Sequence, residues 1–425
     1  MSFKKLITSF SIYTGVSVFG SAAGFILMPI LTHYLSTDEY GTLTLFNTYV
    51  QLLVPFIGLV ASGLISVDYF KKDIGTTDFG SLFSSITAIP IAPFLFFFST
   101  TLLFNDVLVP VLDIPGYAII TLPFVALLSV YKQQFIDYLI VLKKARLYAV
   151  INISKTTIEY GVAILLVVFL GYGWFGRVGS AVLVLVIIVI FSLRFYRSLG
   201  LYKRIQKSNI RSALLYGLPL IPHVVGRFVI NQSDKLFIAN MVSKSEVGIY
   251  NTGYMLGSMI MILSGAFLNI YTPYLFERLA AINNQKKFEI LRLSYTFIGG
   301  MILTLLILST LAPIFYSHFI ENAFESGLKY VVWTGLSYVF WGIYLVFSGY
   351  IYYLKKTYIL AYMALFNVTI NLGLNYILIA KFGTIGASYA TCISYFLVAI
   401  FTILISNRIY PMPWFRFQKI FENNK

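Results

Sequence analysis

Seven ionisable side chains stand inside apolar stretches of this 425-residue chain: Lys132 and Asp137, Lys155 and Glu159, and Arg227, Asp234 and Lys235. A charge at the centre of a lipid-embedded helix costs about 2.5–3.5 kcal/mol on insertion scales, so each asks for a partner or a purpose. Lys155 and Glu159 are spaced i, i+4, which makes an ion pair on one helix the expected partner for both. Arg227 and Lys132 have no acid three or four residues away, and the adjacent Asp234 and Lys235 do not face each other on a helix. A cation inside a cavity suits an anionic headgroup, and arginine offers a planar fork to phosphate oxygens. The alternative for Arg227 and Lys132 is pairing with acids on other helices.

His223, Arg227, Asn231 and Asp234 follow one another at spacings of four, four and three, which puts them along one helical face. Pro219, Pro222 and Gly226 precede or interrupt that face, and such residues are tolerated in a span that bends against neighbours or water. At about 1.5 Å of rise per residue, Lys132, Lys155 and Arg227 each fall on the order of 12–24 Å from the basic end of their helices, so the three can share a depth. The expected ligand-facing set is therefore Arg227, Lys132 and Lys155 with Asn231 and His223 beside them. Asp234, Glu159 and Asp137 are expected as counter-ions or coupling-ion sites. Two amide stripes, Asn47 with Gln51 and Pro55, and Asn367 with Asn371 and Asn375, read as interhelical hydrogen bonding.

The elements that position these residues follow from composition. Hydrophobic residues make up 59% and charged residues 11%, against roughly 25% charged in soluble domains, which excludes a water-soluble globular protein. Spans of about 20 apolar residues are read near 9–33, 41–66, 81–104, 116–140, 147–171, 176–199, 211–240, 248–273, 294–317, 328–354, 359–382 and 386–409. They are numbered 1 to 12 below. Helices are expected because open strands leave backbone groups unpaired in lipid, and barrel strands alternate in hydrophobicity. Lys4 and Lys5 before the first apolar run resemble a signal-peptide head, but about 25 apolar residues are too many, so a retained first span is expected.

The net charge of +15 is distributed by loop. One side carries Lys71, Lys72, Lys143, Lys144, Arg146, the run from Arg194 to Arg211, Arg278, Lys286, Lys287, Arg292, Lys355, Lys356 and the tail with Arg408, Arg416, Lys419 and Lys425. By the positive-inside rule these loops and both termini are cytoplasmic. The charge is thus a topology signal and argues against a nucleic-acid partner. One cysteine and three histidines leave no disulfide framework and no His/Cys metal site, and no cofactor is expected.

The two halves echo each other. Leu35-Ser36-Thr37-Asp38-Glu39-Tyr40-Gly41 returns as Val242-Ser243-Lys244-Ser245-Glu246-Val247-Gly248, Leu142-Lys143-Lys144 as Leu354-Lys355-Lys356, and Gly176-Arg177-Val178-Gly179 as Gly383-Thr384-Ile385-Gly386. Three matches in order argue for duplication. Six spans between equivalents make the halves parallel, a transporter architecture with a site near the midplane. The expected organisation is an N-terminal six-helix bundle over 1–199, a cytoplasmic linker over 200–212 and a C-terminal six-helix bundle over 213–425. The first and second matches lie 207 and 212 residues apart. The first offset sets Gly20 opposite Arg227, within a small-residue patch, Gly20 to Gly24, that reads either as close helix packing or as room for a bulky substrate.

Asp234-Lys235-Leu236-Phe237-Ile238, followed by Ser243 to Tyr250, resembles the seventh-helix signature of the bacterial polysaccharide transporter family, and Leu35 to Gly41 is similar to that family's first-loop pattern. These are the O-antigen and capsule repeat-unit flippases (Wzx type) of the multidrug/oligosaccharidyl-lipid/polysaccharide exporter superfamily. The resemblance implies an all-α, MATE-like fold of about twelve transmembrane helices in two parallel six-helix bundles. It implies a multi-pass protein of the bacterial cytoplasmic (inner) membrane that moves an undecaprenyl-pyrophosphate-linked oligosaccharide across it by alternating access. Membrane lipid and the polysaccharide polymerase machinery are the further partners implied. The pyrophosphate would meet Arg227, Lys132 and Lys155, and Arg227→Ala is expected to abolish transport while leaving the protein in the membrane.

Two other readings compete. A multidrug cation antiporter of the same superfamily would favour cavity-facing acids on the first helix, and span 1 has none. A glycan polymerase or ligase would need a sizeable outside loop, and none exceeds about a dozen residues; no Asp-x-Asp, Gly-rich phosphate loop or His/Glu metal pattern occurs, so a non-enzyme is expected.

Overall fold

The computed structural model describes residues 3–69 and 76–414. Lys71, Lys72, Arg416, Lys419 and Lys425 lie outside them. Every regular element among the described residues is a helix, and each of the twelve expected spans falls on helix. Among the described residues nine helices are long and apolar enough to cross a membrane, and a tenth span is the bent pair Thr37–Gly58 and Gly63–Tyr69, which turns by 47° at its break. Spans 1 and 8 are occupied by Phe3–Tyr34 and by the consecutive helices Lys244–Gly257 and Met259–Ala280. This is an all-helical, multi-pass membrane protein. Large apolar side chains such as Phe96, Leu303 and Leu306 are exposed, as lipid-facing residues must be.

Where the halves repeat in sequence, they repeat a local device. Ser36 Oγ accepts the Glu39 N–H at 3.2 Å, and the Glu39 carboxylate accepts the Ser36 N–H at 3.0 Å, a capping box that starts span 2. Ser243 Oγ accepts the Glu246 N–H at 3.2 Å and starts span 8 with the same N-cap, while the Glu246 carboxylate accepts from Tyr330 OH at 3.1 Å. The Leu-Lys-Lys echo is a pair of matching helix stops. Lys143 and Lys355 both take left-handed backbone, φ 56° and 57°. The next N–H in each case reaches five residues back, Lys144 to Leu139 O at 3.0 Å and Lys356 to Ile351 O at 3.1 Å, which satisfies carbonyls at the helix end. The third echo is offset in space: Gly383 is a left-handed cap, φ 68°, whereas Gly176 lies inside the helix Gly173–Ser198. Gly386 answers Gly176 better, since each presses close to the preceding span, at Leu378 and Leu166 respectively.

The chain divides into two units, Met1–Phe228 and Val229–Lys425. The first is centred on Phe83, Phe135, Tyr138, Leu139 and Tyr196, the second on Tyr271, Leu275, Leu291, Met301 and Tyr350. The sequence reading draws its boundary at 200–212 by topology; by contact, the first unit keeps that segment and the start of span 7. The reason is a row of serines on the helix Thr76–Ala88. Ser84 Oγ donates to Leu201 O at 2.9 Å and accepts from Lys203 N at 2.9 Å. Ser81 Oγ donates to Arg204 O at 2.7 Å, and Ser85 Oγ accepts from Gln206 N at 3.1 Å. An irregular strand thereby satisfies its backbone groups without secondary structure of its own.

Span 2 is bent at a break, and the α-helix of span 7 is interrupted by a short turn that lies against that break. Leu59 and Val60 take left-handed backbone, φ 47° and 52°, which costs about 1–3 kcal/mol per residue unless the surroundings enforce it. In span 7, Lys207–Gly217 is followed by a tight turn at Leu218–Leu220 and by Ile221–Met241, with Pro219 and Pro222 each withholding a backbone donor. Gly217 lies against the span 2 break so closely that a Cβ there would overlap the Leu59 carbonyl oxygen.

Candidate functional site

Spans 4 (Gly116–Val141) and 5 (Ala145–Ile164) form a helical hairpin closed by the Lys143 turn. Lys132 is nine residues before the turn and Lys155 ten after its start, so both stand about 14–15 Å along their helices from the same end. Equal path lengths on antiparallel neighbours set the two level. Both line one cavity of about 430 Å³ inside the first unit, together with Val16, Gly20 and Ser21 of span 1 and Tyr148, Asn152, Thr156 and Tyr160 of span 5. That volume lies in the range of small-molecule sites, roughly 300–1,000 Å³. Gly20 faces open space, since a Cβ built on it meets nothing within 4 Å. Of the two readings of the small-residue patch, room rather than tight packing describes Gly20.

The Lys155–Glu159 pair forms, with Nζ to Oε2 at 2.8 Å. Glu159 is shared: Arg177 Nη2 holds its Oε1 at 2.8 Å from the start of span 6. Arg177 also lies 5.2 Å from the centroid of the Tyr160 ring. One carboxylate therefore answers two cations, and Lys132 adds a third charge beside them, which leaves the pocket cationic. Sequence reasoning missed Arg177, whose place at a span start made it look like part of an echo. It also missed Tyr148, Asn152, Thr156 and Tyr160, although their spacing of four was available.

The other candidates lie outside the cavity lining, although Asp137 is close enough to Lys132 for their charges to interact. Asp137 accepts from Gln133 Nε2 on its own helix at 2.8 Å. His223 and Arg227 are exposed on Ile221–Met241, Asn231 is half-buried, and none of the three lines the cavity. Farther along that helix, Asp234 and Lys235 are buried in the second unit. Asp234 accepts from Tyr250 OH at 2.5 Å and from the Lys235 N–H at 2.9 Å. The Lys235 ammonium turns away, to Gln232 Oε1 at 2.7 Å and over the Tyr254 ring at 4.7 Å. Tyr254 and Tyr338 share a hydrogen bond at 2.7 Å. Removing the Tyr250 donor should leave the Asp234 carboxylate short of a partner in a buried span, worth about 1–2 kcal/mol. Tyr250→Phe is therefore expected to lower the melting temperature of purified protein by roughly 2–6 °C, followed by tryptophan fluorescence in detergent; an unchanged melting temperature would count against the contact.

Of the span 11 amides, Asn371 makes the expected interhelical bond, whereas the Oδ1 atoms of Asn367 and Asn375 are buried without a partner among the described residues. Asn375 Nδ2 donates to Asn371 Oδ1 at 3.0 Å, and Asn371 Nδ2 donates to Ser394 Oγ on span 12 at 3.2 Å. Asn47 of span 2 is exposed instead, so the interhelical reading does not describe it.

These features, a bent second span and a cation-lined polar cavity within one unit, belong to an all-helical, multi-pass membrane protein. The fold is similar to that of an inward-facing multidrug resistance MATE family transporter of the MOP superfamily, with a TM-score of 0.69 and 14% identity over 92% of this chain and 94% of that one. The chain belongs to the polysaccharide biosynthesis protein family, whose pattern matches residues 6–279. Among curated relatives it is similar to protein 1 of the Lsg locus of Haemophilus influenzae, 27% identical over 63% of this chain and 64% of the relative. It thus spans just under two thirds of that relative's length. A second relative, an uncharacterized membrane protein of the same organism, is 24% identical over 87% of this chain and 89% of its own.

Proposed function

We propose that this protein is a flippase of the bacterial cytoplasmic membrane that translocates an undecaprenyl-pyrophosphate-linked repeat unit of an O-antigen or capsule by alternating access, with both termini cytoplasmic. The observation that carries the reading is the level pair Lys132 and Lys155 in one polar cavity. Two ammonium groups on facing helices suit the several oxygens of a pyrophosphate, and Glu159, already held by Arg177, neutralises them only in part. The same charge opposes a cationic drug, which would be repelled by the site. Membership in a polysaccharide biosynthesis family supports a glycan cargo and a polymerase as consumer of the product.

Arg227, exposed on span 7, is proposed as an anion contact on the translocation path. Asp234, Glu159 and Asp137 are proposed as counter-ions.

The test uses a strain lacking the gene. Lipid-linked intermediates are purified and probed with an impermeant glycan-modifying enzyme to learn which leaflet they occupy. Single repeat units facing the cytoplasm are the expected result. Units on the periplasmic face that stay unpolymerised would make the protein a polymerase and overturn the proposal. Complementation with Arg227→Ala is expected to leave protein in the membrane and units facing the cytoplasm; export at the wild-type level would remove Arg227 from the path.

A further inference from the structure

We infer that the cavity-facing edge of span 5 is a saccharide-binding strip, which reads the sugars joined to the carrier phosphate; this rests on the pyrophosphate reading of the same cavity. Tyr148, Asn152, Thr156 and Tyr160 recur at intervals of four and all line the cavity. On a helix that spacing makes one continuous stripe, about 18 Å from first to last Cα, the length of a short oligosaccharide. Its order is aromatic, amide, hydroxyl, aromatic. A pyranose offers apolar C–H faces and a rim of hydroxyls, and such a stripe meets both: ring faces for the first, donors and acceptors for the second.

Asn152 and Thr156 have hydrogen-bonding capacity to spare. Asn152 spends one amide N–H on the Tyr148 carbonyl at 2.9 Å, which fixes the side chain and leaves its Oδ1 and second N–H. Thr156 makes no hydrogen bond among the described residues, although it sits beside Lys155. The Tyr160 ring is steadied by Arg177. Across the gap, Gly20 gives width that any other residue would take up. Lys132 and Lys155 stand level with the middle of the stripe, so a phosphate held there would lay its first sugars along the span 5 edge.

The test compares two probes on purified full-length protein: undecaprenyl pyrophosphate, and the lipid-linked saccharide extracted from the strain lacking the gene. Wild type is expected to bind the saccharide-bearing lipid about tenfold more tightly, the size of one or two net hydrogen bonds. Asn152→Ala with Thr156→Val should bind both lipids alike, with the Kd for undecaprenyl pyrophosphate unchanged, and Thr156→Ser alone should keep the discrimination. Equal losses for both lipids in the double variant, or a wild type that does not tell them apart, would overturn the strip. The underlying reading fails separately: wild type and a variant lacking both Lys132 and Lys155 charges would then bind undecaprenyl pyrophosphate equally.

Discussion

Protein carrying Lys132→Ala together with Lys155→Ala should reach the membrane in normal amount and lose transport of its lipid-linked glycan by about a hundredfold or more. Each charged hydrogen bond to a phosphate oxygen contributes about 1.5–3 kcal/mol, so two together contribute about 3–6 kcal/mol, or roughly 10²–10⁴ in affinity. Folding should be spared because of the third cation. With Lys155 gone, Glu159 still keeps Arg177 at 2.8 Å, so no buried carboxylate is stranded. Lys155 is also the more exposed partner, at 28% of its side chain against 16% for Arg177. Arg177→Ala is the contrasting case, since it strips Glu159 of its more buried partner, and breaking such a pair costs about 3–5 kcal/mol. The measurement is the rate of glycolipid translocation in proteoliposomes, normalised to reconstituted protein. A double lysine variant that transports at the wild-type rate would show that the cavity is not the binding site.

Gly217→Val is expected to remove folded protein from the membrane almost completely. Most overpacked sites cost about 1–3 kcal/mol because neighbouring side chains move aside. Here the neighbours are backbone: the Leu59 carbonyl, with Val60 C and Ala61 N each 3.1 Å from the position of a Cβ. They belong to the left-handed pair that breaks span 2, so relief would require moving the break itself. Gly217 has ordinary right-handed backbone, φ −84°, and its requirement is therefore for space and not for conformation. Immunoblotting of membrane fractions and size-exclusion of detergent extracts read the outcome; a normal amount of monodisperse protein would mean that the two breaks do not pack as described. Gly217→Ala, smaller but clashing with the same carbonyl, should show a partial loss.

Much of this was legible from residue spacing. Continuous apolar runs locate the nine candidate spans and the bent tenth among the described residues, because lipid imposes one rule along the whole segment. The i, i+4 rule gives the Lys155–Glu159 pair, and counting residues from one turn gives the common depth of Lys132 and Lys155. What spacing does not give is which faces meet. Arg177 reaches Glu159 from another helix, and no pattern within span 6 announces it. Arg227 and Lys132 look alike in sequence, yet of the two Lys132 lines the cavity, and spacing within one helix does not tell them apart. The breaks themselves were half visible: Pro219 and Pro222 flag span 7, whereas nothing about Leu59-Val60 suggests left-handed backbone. The repeats were read as evidence of duplication, and they turn out to conserve a helix start and a helix stop.

The amide row on Thr357–Phe382 has a mechanical consequence. Asn367, Asn371 and Asn375 are all buried, on a helix whose opposite side presents Tyr362, Leu365 and Tyr376 outward. A helix with an oily circumference can spin about its axis in a bilayer at little cost. Turning this one by a single residue's angle of about 100° would break the interhelical bond of Asn371 and carry its amide toward hydrocarbon, where an unsatisfied group costs several kcal/mol. Its azimuth is keyed to Ser394 on the neighbouring helix, as a shaft is keyed to its hub. Whatever rearrangement transport requires, spans 11 and 12 should turn together as one piece.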